Sequence, residues 1–224
     1  MTKDEYVQRA QAQDDWAPGW EAIDDAFGAV YPGVEPPHLA TSMPARAMFG
    51  GNEYLDGASL FPSPNGYQHV VTYGMSSLYA DAEDYGGDRS GWGYEMTMKV
   101  AAPGKPEAGW AVSVMSNLAR YTFTSGRWFE PYQAVAGNGT PISIGSGSAL
   151  TSLLVVPDTE VAGVDTVHGR LDFLQLVGIT QPESDWVFAD PSLTVGRIRE
   201  LAARLADATG PELVTDLART ESFL

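Results

Sequence analysis

Three histidines are the first side chains of this 224-residue chain to consider as chemical groups. His38, His69 and His168 lie far apart in sequence, and none belongs to an HExxH or His-x-His pair of the kind that binds zinc. The chain has no cysteine, which excludes disulfides, thiol catalysis and cysteine–zinc sites. We therefore predict no metal site, no cofactor and no catalytic residue, and expect the histidines to serve packing or hydrogen bonding.

An acidic segment, YADAEDYGGDRSG, is the second possible source of chemistry. Its carboxylates are Asp81, Glu83, Asp84 and Asp88. Such oxygens can bind calcium, but this spacing is not that of an EF-hand loop, so a solvated loop is the simpler interpretation. Two carboxylates could also flank a glycosidic bond, yet a chain with 29 acidic residues offers such a pair almost anywhere. The alternative of an uncharacterised hydrolase requires a carboxylate and a histidine to converge in space.

The charge of the chain limits its partners. Thirteen Lys and Arg residues against 29 Asp and Glu give a formal net charge of −16. A nucleic-acid backbone or an anionic membrane would require clustered basic residues, so neither is an expected partner, whereas a basic protein is. The polar N-terminus has no apolar secretory segment, and the apolar runs are too short to span a bilayer. We expect a cytoplasmic protein.

Three segments carry apolar residues at helical spacing. Glycines follow two of them, at Gly126 and Gly210, where helices commonly end. The predicted helices cover residues 17–31, 110–125 and 194–209.

Alternating or continuously apolar runs between these helices indicate strands, two of which meet at a turn at His168-Gly169. Helices interspersed with strands predict an α/β (α+β) fold, with a mixed central β-sheet flanked by helices in a single domain. We expect this domain to span residues 16–220, after a polar extension over residues 1–15.

The segment SGWGYEMTMKV alternates large apolar residues with small or polar ones, which predicts a strand buried on one face only. The buried face would carry Trp92, Met96 and Met98. Glu95 and Lys99 would then be exposed on the opposite face. Gly93 has two interpretations, since a glycine in a strand can allow something to approach the backbone or can make room for a packed neighbour or a bulge.

Six sequence blocks occur in the order found in one known family: FGGNEYLDGASLF, HVVTYGMSSLYAD, SGWGYEMTMKV, NLARYTFTSGRWFEP, DTVHGRLDFLQLVGIT and ELVTDLAR. From about Trp16 to Arg219 the chain resembles the suppressor of fused family, specifically the N-terminal type of domain in its bacterial branch. The resemblance implies a non-enzymatic α/β domain that binds a protein or a peptide.

The resemblance also implies where a partner would bind. In this family the rim that contacts a peptide includes the tyrosine ending the SxLY block, here Tyr79, and an acidic position for which the nearest acid here is Asp88. The full predicted partner-binding set is Tyr79, Asp81, Glu83, Asp84, Asp88 and Glu95. The alternative is that Tyr79 closes the core and that the acidic loop is merely solvated.

Two positions depart from the family pattern: Tyr67-Gln68-His69 keeps one of two histidines, and Thr166-Val167-His168-Gly169 lacks a proline. The second large domain of the animal proteins is not expected here, nor is a mechanism in which two domains close on a peptide. Many bacterial relatives lie beside toxin genes. Protein binding is therefore the expected function, and neutralisation of a basic toxin, as an immunity protein, is its most concrete form.

Overall fold

Strands from all parts of the chain form one mixed sheet. In the computed structural model the described residues are 1–41, 55–101 and 105–224, with side chains described for all of these except 105–107. The first residues of the block FGGNEYLDGASLF therefore lie outside the described residues. Eight strands are present in the described part of the chain: β1 (His38–Ala40), β2 (Gly57–Pro62), β3 (Gln68–Tyr73), β4 (Arg89–Val100), β5 (Gln133–Val135), β6 (Leu150–Pro157), β7 (Val164–Thr166) and β8 (Gly169–Thr180).

The strand order is β1-β2-β3-β4-β8-β6-β5, and β7 pairs with β8. The β4–β8 pair is parallel, and the other pairs are antiparallel. The helices are α1 (Lys3–Ala12), α2 (Pro18–Val30), α3 (Lys105–Ser125), α4 (Gln181–Phe188) and α5 (Thr194–Thr209), with a 3-10 turn at Pro191–Leu193.

Helices cover both faces of this sheet. On one face α3 packs against Met96 and Met98 of β4 and Leu174 of β8. On the other face α2 and α5 pack on two further apolar clusters, which contain Phe173 and Val177 of β8 respectively. The predicted α/β (α+β) domain with a mixed sheet flanked by helices is confirmed. None of the described helices is long and apolar enough to cross a membrane.

The predicted helices are present, with two additions. Helices α2 and α5 match their predicted ranges, while α3 begins at Lys105 rather than at residue 110. Helix α4 was not predicted. The polar extension also forms a helix, α1, because Thr2 and Glu5 cap its first turn reciprocally, and its Tyr6 side chain is fully buried. The predicted turn at His168-Gly169 joins β7 to β8.

The prediction that Glu95 and Lys99 are exposed is wrong, because both residues are 0% exposed. Met96 and Met98 are buried as predicted, and Trp92 is partly buried against the same core. The alternation along β4 does separate its two faces. However, the polar face lies beneath α2 and the segment after β6 and not in solvent, since β4 is a central strand.

Four ionisable side chains meet on this covered face and form what we call the buried ion cluster: His69, Lys99, Asp158 and Glu160. The Nζ atom of Lys99 lies 3.3 Å from Asp158 Oδ1 and 3.1 Å from Glu160 Oε2. His69 Nε2 lies 2.8 Å from Asp158 Oδ2. The side chain of Glu160 is 23% exposed and the other three are 0% exposed, so the charges are paired with one another and little with water.

Asp158 is the centre of this cluster. Besides its contacts with Lys99 and His69, it accepts hydrogen bonds from the Thr97 hydroxyl and from the backbone N–H groups of Glu160 and Val161. Burial by itself would raise the pKa of Asp158, but His69, Lys99 and these hydrogen bonds outweigh it and hold the pKa below its ordinary value of 3.8. The folded protein therefore strongly favours the ionised carboxylate.

Replacing Lys99 by methionine should destabilise the protein severely. The substitution keeps the unbranched apolar part of the side chain but leaves two carboxylates without their cation, and breaking a buried ion pair in this way costs about 3–5 kcal/mol. The exposed Lys3→Met variant is the matched control, with an expected change of about 0.5 kcal/mol or less. Urea unfolding midpoints measure both, and equal midpoints for the two variants would contradict the cluster.

Acid should weaken the fold through the same cluster. The pKa values of Asp158 and Glu160 lie below their ordinary values of 3.8 and 4.5, so their stabilisation is present above those values and is lost as the pH falls. We expect the free energy of unfolding to drop between about pH 5 and pH 3, and to drop less in Asp158→Asn, which no longer titrates there. Urea titrations at both pH values provide the test. An equal drop in the two proteins would show that the acid sensitivity arises elsewhere.

Candidate functional site

An exposed tyrosine and a charged loop lie together after β3. Tyr79 is 57% exposed, and its hydroxyl donates a hydrogen bond to Asp56 Oδ2 at 2.7 Å. It therefore does not close the core, and that part of the alternative is wrong. The carboxylates of the loop lie at the surface, Asp84 being partly covered. We call this surface the acidic rim: Tyr79, Asp81, Glu83, Asp84 and Asp88.

The acidic rim is held from beneath by the N-terminal helix. The hydroxyl of Tyr6 donates to the backbone oxygen of Asp81 at 3.0 Å and lies 2.8 Å from His168 Nε2. His168 Nδ1 in turn donates to the backbone oxygen of Ser77 at 2.8 Å. The backbone N–H of Gly86 donates to Val167. Each contact comes from a distant part of the chain, so the predicted extension over residues 1–15 contributes directly to positioning the rim.

Glu95 supports the same segment and does not contact solvent. Its Oε1 atom accepts hydrogen bonds from the backbone N–H groups of Gly74 and Ser76, at 3.0 and 2.9 Å, and from the Ser76 hydroxyl. Its Oε2 atom accepts from the Thr72 hydroxyl at 2.6 Å. Burial raises the pKa of Glu95, although the hydrogen bonds from Thr72 and Ser76 oppose that shift. Glu95 therefore does not belong to a contact surface, and it orients the chain that leads to Tyr79.

The structure supports the second interpretation of Gly93, a bulge or room for a packed neighbour. The ladder between β4 and β8 shifts register between Arg89 and Tyr94, which is a bulge. Gly93 has a φ of +86°, and a Cβ atom there would lie 3.0 Å from Cδ of Arg89. The group that approaches the backbone is thus the side chain of Arg89 from the same strand.

The three histidines do not converge. His38 Nδ1 lies 3.0 Å from the Ser59 hydroxyl, and His168 lies under the acidic rim. His69 contacts carboxylates in the buried ion cluster, where its Nδ1 atom also lies 2.9 Å from the Tyr31 hydroxyl. Both ring nitrogens are therefore occupied by protein groups. Over residues 1–41, 55–101 and 105–224, no three His, Asp or Glu side chains are arranged to hold a metal ion.

Comparison with known proteins identifies the family. The family model described as suppressor of fused protein (SUFU) matches residues 51–220. Suppressor of fused homolog from Homo sapiens and its Mus musculus counterpart are each 31% identical to the chain over 222 residues. The chain belongs to the suppressor of fused family. The match covers 92% of this chain but 44% of those proteins, so the chain spans less than half their length.

Solved structures share the fold. Drosophila Suppressor of Fused is 26% identical, with a TM-score of 0.77 over 92% of this chain and 51% of that one. A chain of the Sufu–Fu complex is 24% identical, with a TM-score of 0.77 and coverage of 92% and 93%. A SUFU homolog from Neisseria gonorrhoeae is 14% identical, with a TM-score of 0.60 and coverage of 92% and 97%. The similarity to the last two structures shows a shared fold and nothing more.

Replacing Glu95 should loosen the segment beneath Tyr79. Glu95→Leu leaves the N–H groups of Gly74 and Ser76 without an acceptor, and an unsatisfied buried donor costs about 1–3 kcal/mol. Glu95→Gln keeps one oxygen for these donors and should cost less. The hydrogen-exchange rates of the Gly74 and Ser76 amides measure local loosening, and the urea midpoint measures the stability of the whole domain. Comparing the two distinguishes a local effect from a loss of overall stability. Unchanged exchange in Glu95→Leu would show that the carboxylate does not hold this turn.

Proposed function

We propose that this domain binds a protein partner, without catalysis, and that the acidic rim makes the contact. The exposure of Tyr79 beside carboxylates on a segment fixed from beneath is the observation that carries the proposal. Tyrosine is a frequent anchor in interfaces because it buries a large ring while its hydroxyl stays hydrated. A segment that is already ordered also loses less entropy when it binds.

The charge of the domain favours a basic partner. The net charge of −16, together with four carboxylates in the rim, creates a negative field that speeds the approach of a positive surface. The most concrete form of the proposal is an immunity protein that covers a basic toxin or effector in the cytoplasm. The relative in the Sufu–Fu complex supports the broader proposal, that the domain binds a protein, since that relative was solved in a complex with a partner.

The buried ion cluster does not favour the hydrolase alternative. Its histidine meets Asp158 and Glu160, as that alternative requires, but the His69 and Asp158 side chains are 0% exposed. A general base must reach the proton that it abstracts. We therefore assign the cluster to stability and the rim to binding.

Variants of the acidic rim should affect the association rate and the dissociation rate differently. Tyr79→Ala removes an anchor and should mainly speed dissociation, whereas the triple variant Asp81→Asn, Glu83→Gln, Asp84→Asn should mainly slow association. The association rate of the parent should also fall with added salt, because exposed charges are screened within about 10 Å at ~0.1 M. Surface-binding kinetics of the parent and both variants, on a partner recovered by pull-down with the parent, provide the measurement.

Tyr121→Ala is the control for the loss of an exposed tyrosine, since Tyr121 is 44% exposed on α3. Its binding should match that of the parent. If the rim variants stay folded and also bind like the parent, the contact surface lies elsewhere and the proposal fails.

A further inference from the structure

A groove of about 580 Å³ opens where the pairing of β4 and β8 is irregular. The two parallel strands are in register at Arg89 and Arg170, then β4 bulges before the pairing resumes at Tyr94 and Asp172. Between these two pairs, residues 90–93 of β4 stand opposite the single residue Leu171 of β8, and the groove lies beside this irregular stretch. Asp88, the last residue of the acidic rim, lines the groove, so the two surfaces are continuous.

Tryptophan rings form one side of this groove. Trp92 and Trp128 lie with their ring centroids 6.5 Å apart, at an interplanar angle of 35°. Trp92 also packs edge-on against Phe123, which fixes it against the core. Trp128 is 48% exposed and so presents a large part of its indole to the groove mouth. An exposed indole face attracts cations, because the ring carries negative charge density there.

The charges around the groove are unevenly neutralised. The guanidinium of Arg170 lies 2.9 Å from Asp172 and 3.5 Å from Asp165, so its charge is already compensated. Asp88 and Glu130 have no cation within 4.0 Å among the described residues, and both line the groove. Arg89 is the one lining cation without a carboxylate partner in the described part of the chain. The negative charge of the whole domain adds to the excess of carboxylate.

We propose that this groove binds a basic side chain, arginine or lysine, from an extended segment of the protein partner. The aliphatic part and the cation lie on the indole of Trp128, and the carboxylates of Asp88 and Glu130 receive the positive charge. The chain itself packs cations on aromatic rings in this way: Arg199 lies 3.7 Å from the ring centroid of Tyr132. The inference rests on the proposed function, because it gives the chemistry of the segment that the partner supplies.

The positive charge of Arg89 repels such a ligand, so substituting Arg89 shows whether the bound side chain is basic or acidic. The stem of Arg89 lies over Gly93, and its guanidinium shares the groove with the incoming cation. Removing this charge should strengthen the binding of a basic side chain and weaken the binding of an acidic one. A single substitution thus distinguishes the two possible charges of the occupant.

The test uses peptides and the indole N–H signals of the six tryptophans. The probes are five-residue alanine peptides with blocked ends, whose central residue is arginine, glutamate or norleucine. We expect the arginine peptide alone to shift the signals of Trp92 and Trp128 saturably. Asp88→Asn and Glu130→Gln should each weaken its binding about two- to fivefold, and Arg89→Gln should tighten it by a similar factor. Asp207→Asn, an exposed acid on α5, should change nothing.

Three results would overturn the inference: tighter binding of the glutamate peptide, weaker binding of the arginine peptide in Arg89→Gln, or no saturable shift at Trp128 with any peptide. Two variants show which of these proposals is wrong, binding by the groove or binding by the acidic rim. Tyr79→Ala should leave the peptide shifts unchanged while it impairs the captured partner. If Trp128→Ala binds that partner like the parent while Tyr79→Ala does not, the rim stands and the groove has no part in recognition.

Discussion

The ionised carboxylate of Asp158, buried and shared between Lys99 and His69, is the constraint on which the rest of the fold depends. It joins the segment after β6 to two neighbouring strands, because His69 belongs to β3 and Lys99 to β4. Glu160 extends the cluster to Tyr31, which ends helix α2. A central strand covered on both faces can carry a lysine only if such partners accompany it, since an unpaired charge in the interior is too costly to retain.

Strand β4 connects this stabilising cluster to the surface proposed to bind. Its last residues contribute Lys99 to the buried ion cluster, and Glu95 near its middle holds the turn that leads to Tyr79. Its first residues form the bulge opposite β8 and line the groove beside Asp88. The strand therefore contributes to ion pairing at one end, to positioning near its middle, and at its other end to the groove proposed for recognition. Burial would raise the pKa of both carboxylates, Asp158 and Glu95. His69, Lys99 and hydrogen bonds bring the pKa of Asp158 below its ordinary value, whereas the pKa of Glu95, which has hydrogen-bond donors around it, stays raised.

Membership of the suppressor of fused family agrees with the fold and is the basis for the protein-binding part of the proposal. The chain covers 44% of the curated human relative, so recognition is argued from groups within this one domain. The tryptophan pair of the groove and the acidic rim are both present in it. Neither requires a second domain, and the contacts that order the rim come from α1 and from the β7–β8 turn.

Most of the helices and strands could be predicted from the sequence, because the signals for them lie within each segment. Amphipathic spacing and the terminating Gly210 were enough for α5, and alternation along β4 correctly separated the methionines from Glu95 and Lys99. The sequence also indicated the family. The burial of the polar face of β4 could not be predicted in this way, since the groups that cover it, Tyr31 and Asp158, lie about 60 residues away on either side. An alternating strand predicts two different faces, but burial of the second depends on partners that no local pattern identifies. The same reason explains why the groove and the support of the acidic rim by Tyr6 were not foreseen: both arise where distant segments meet.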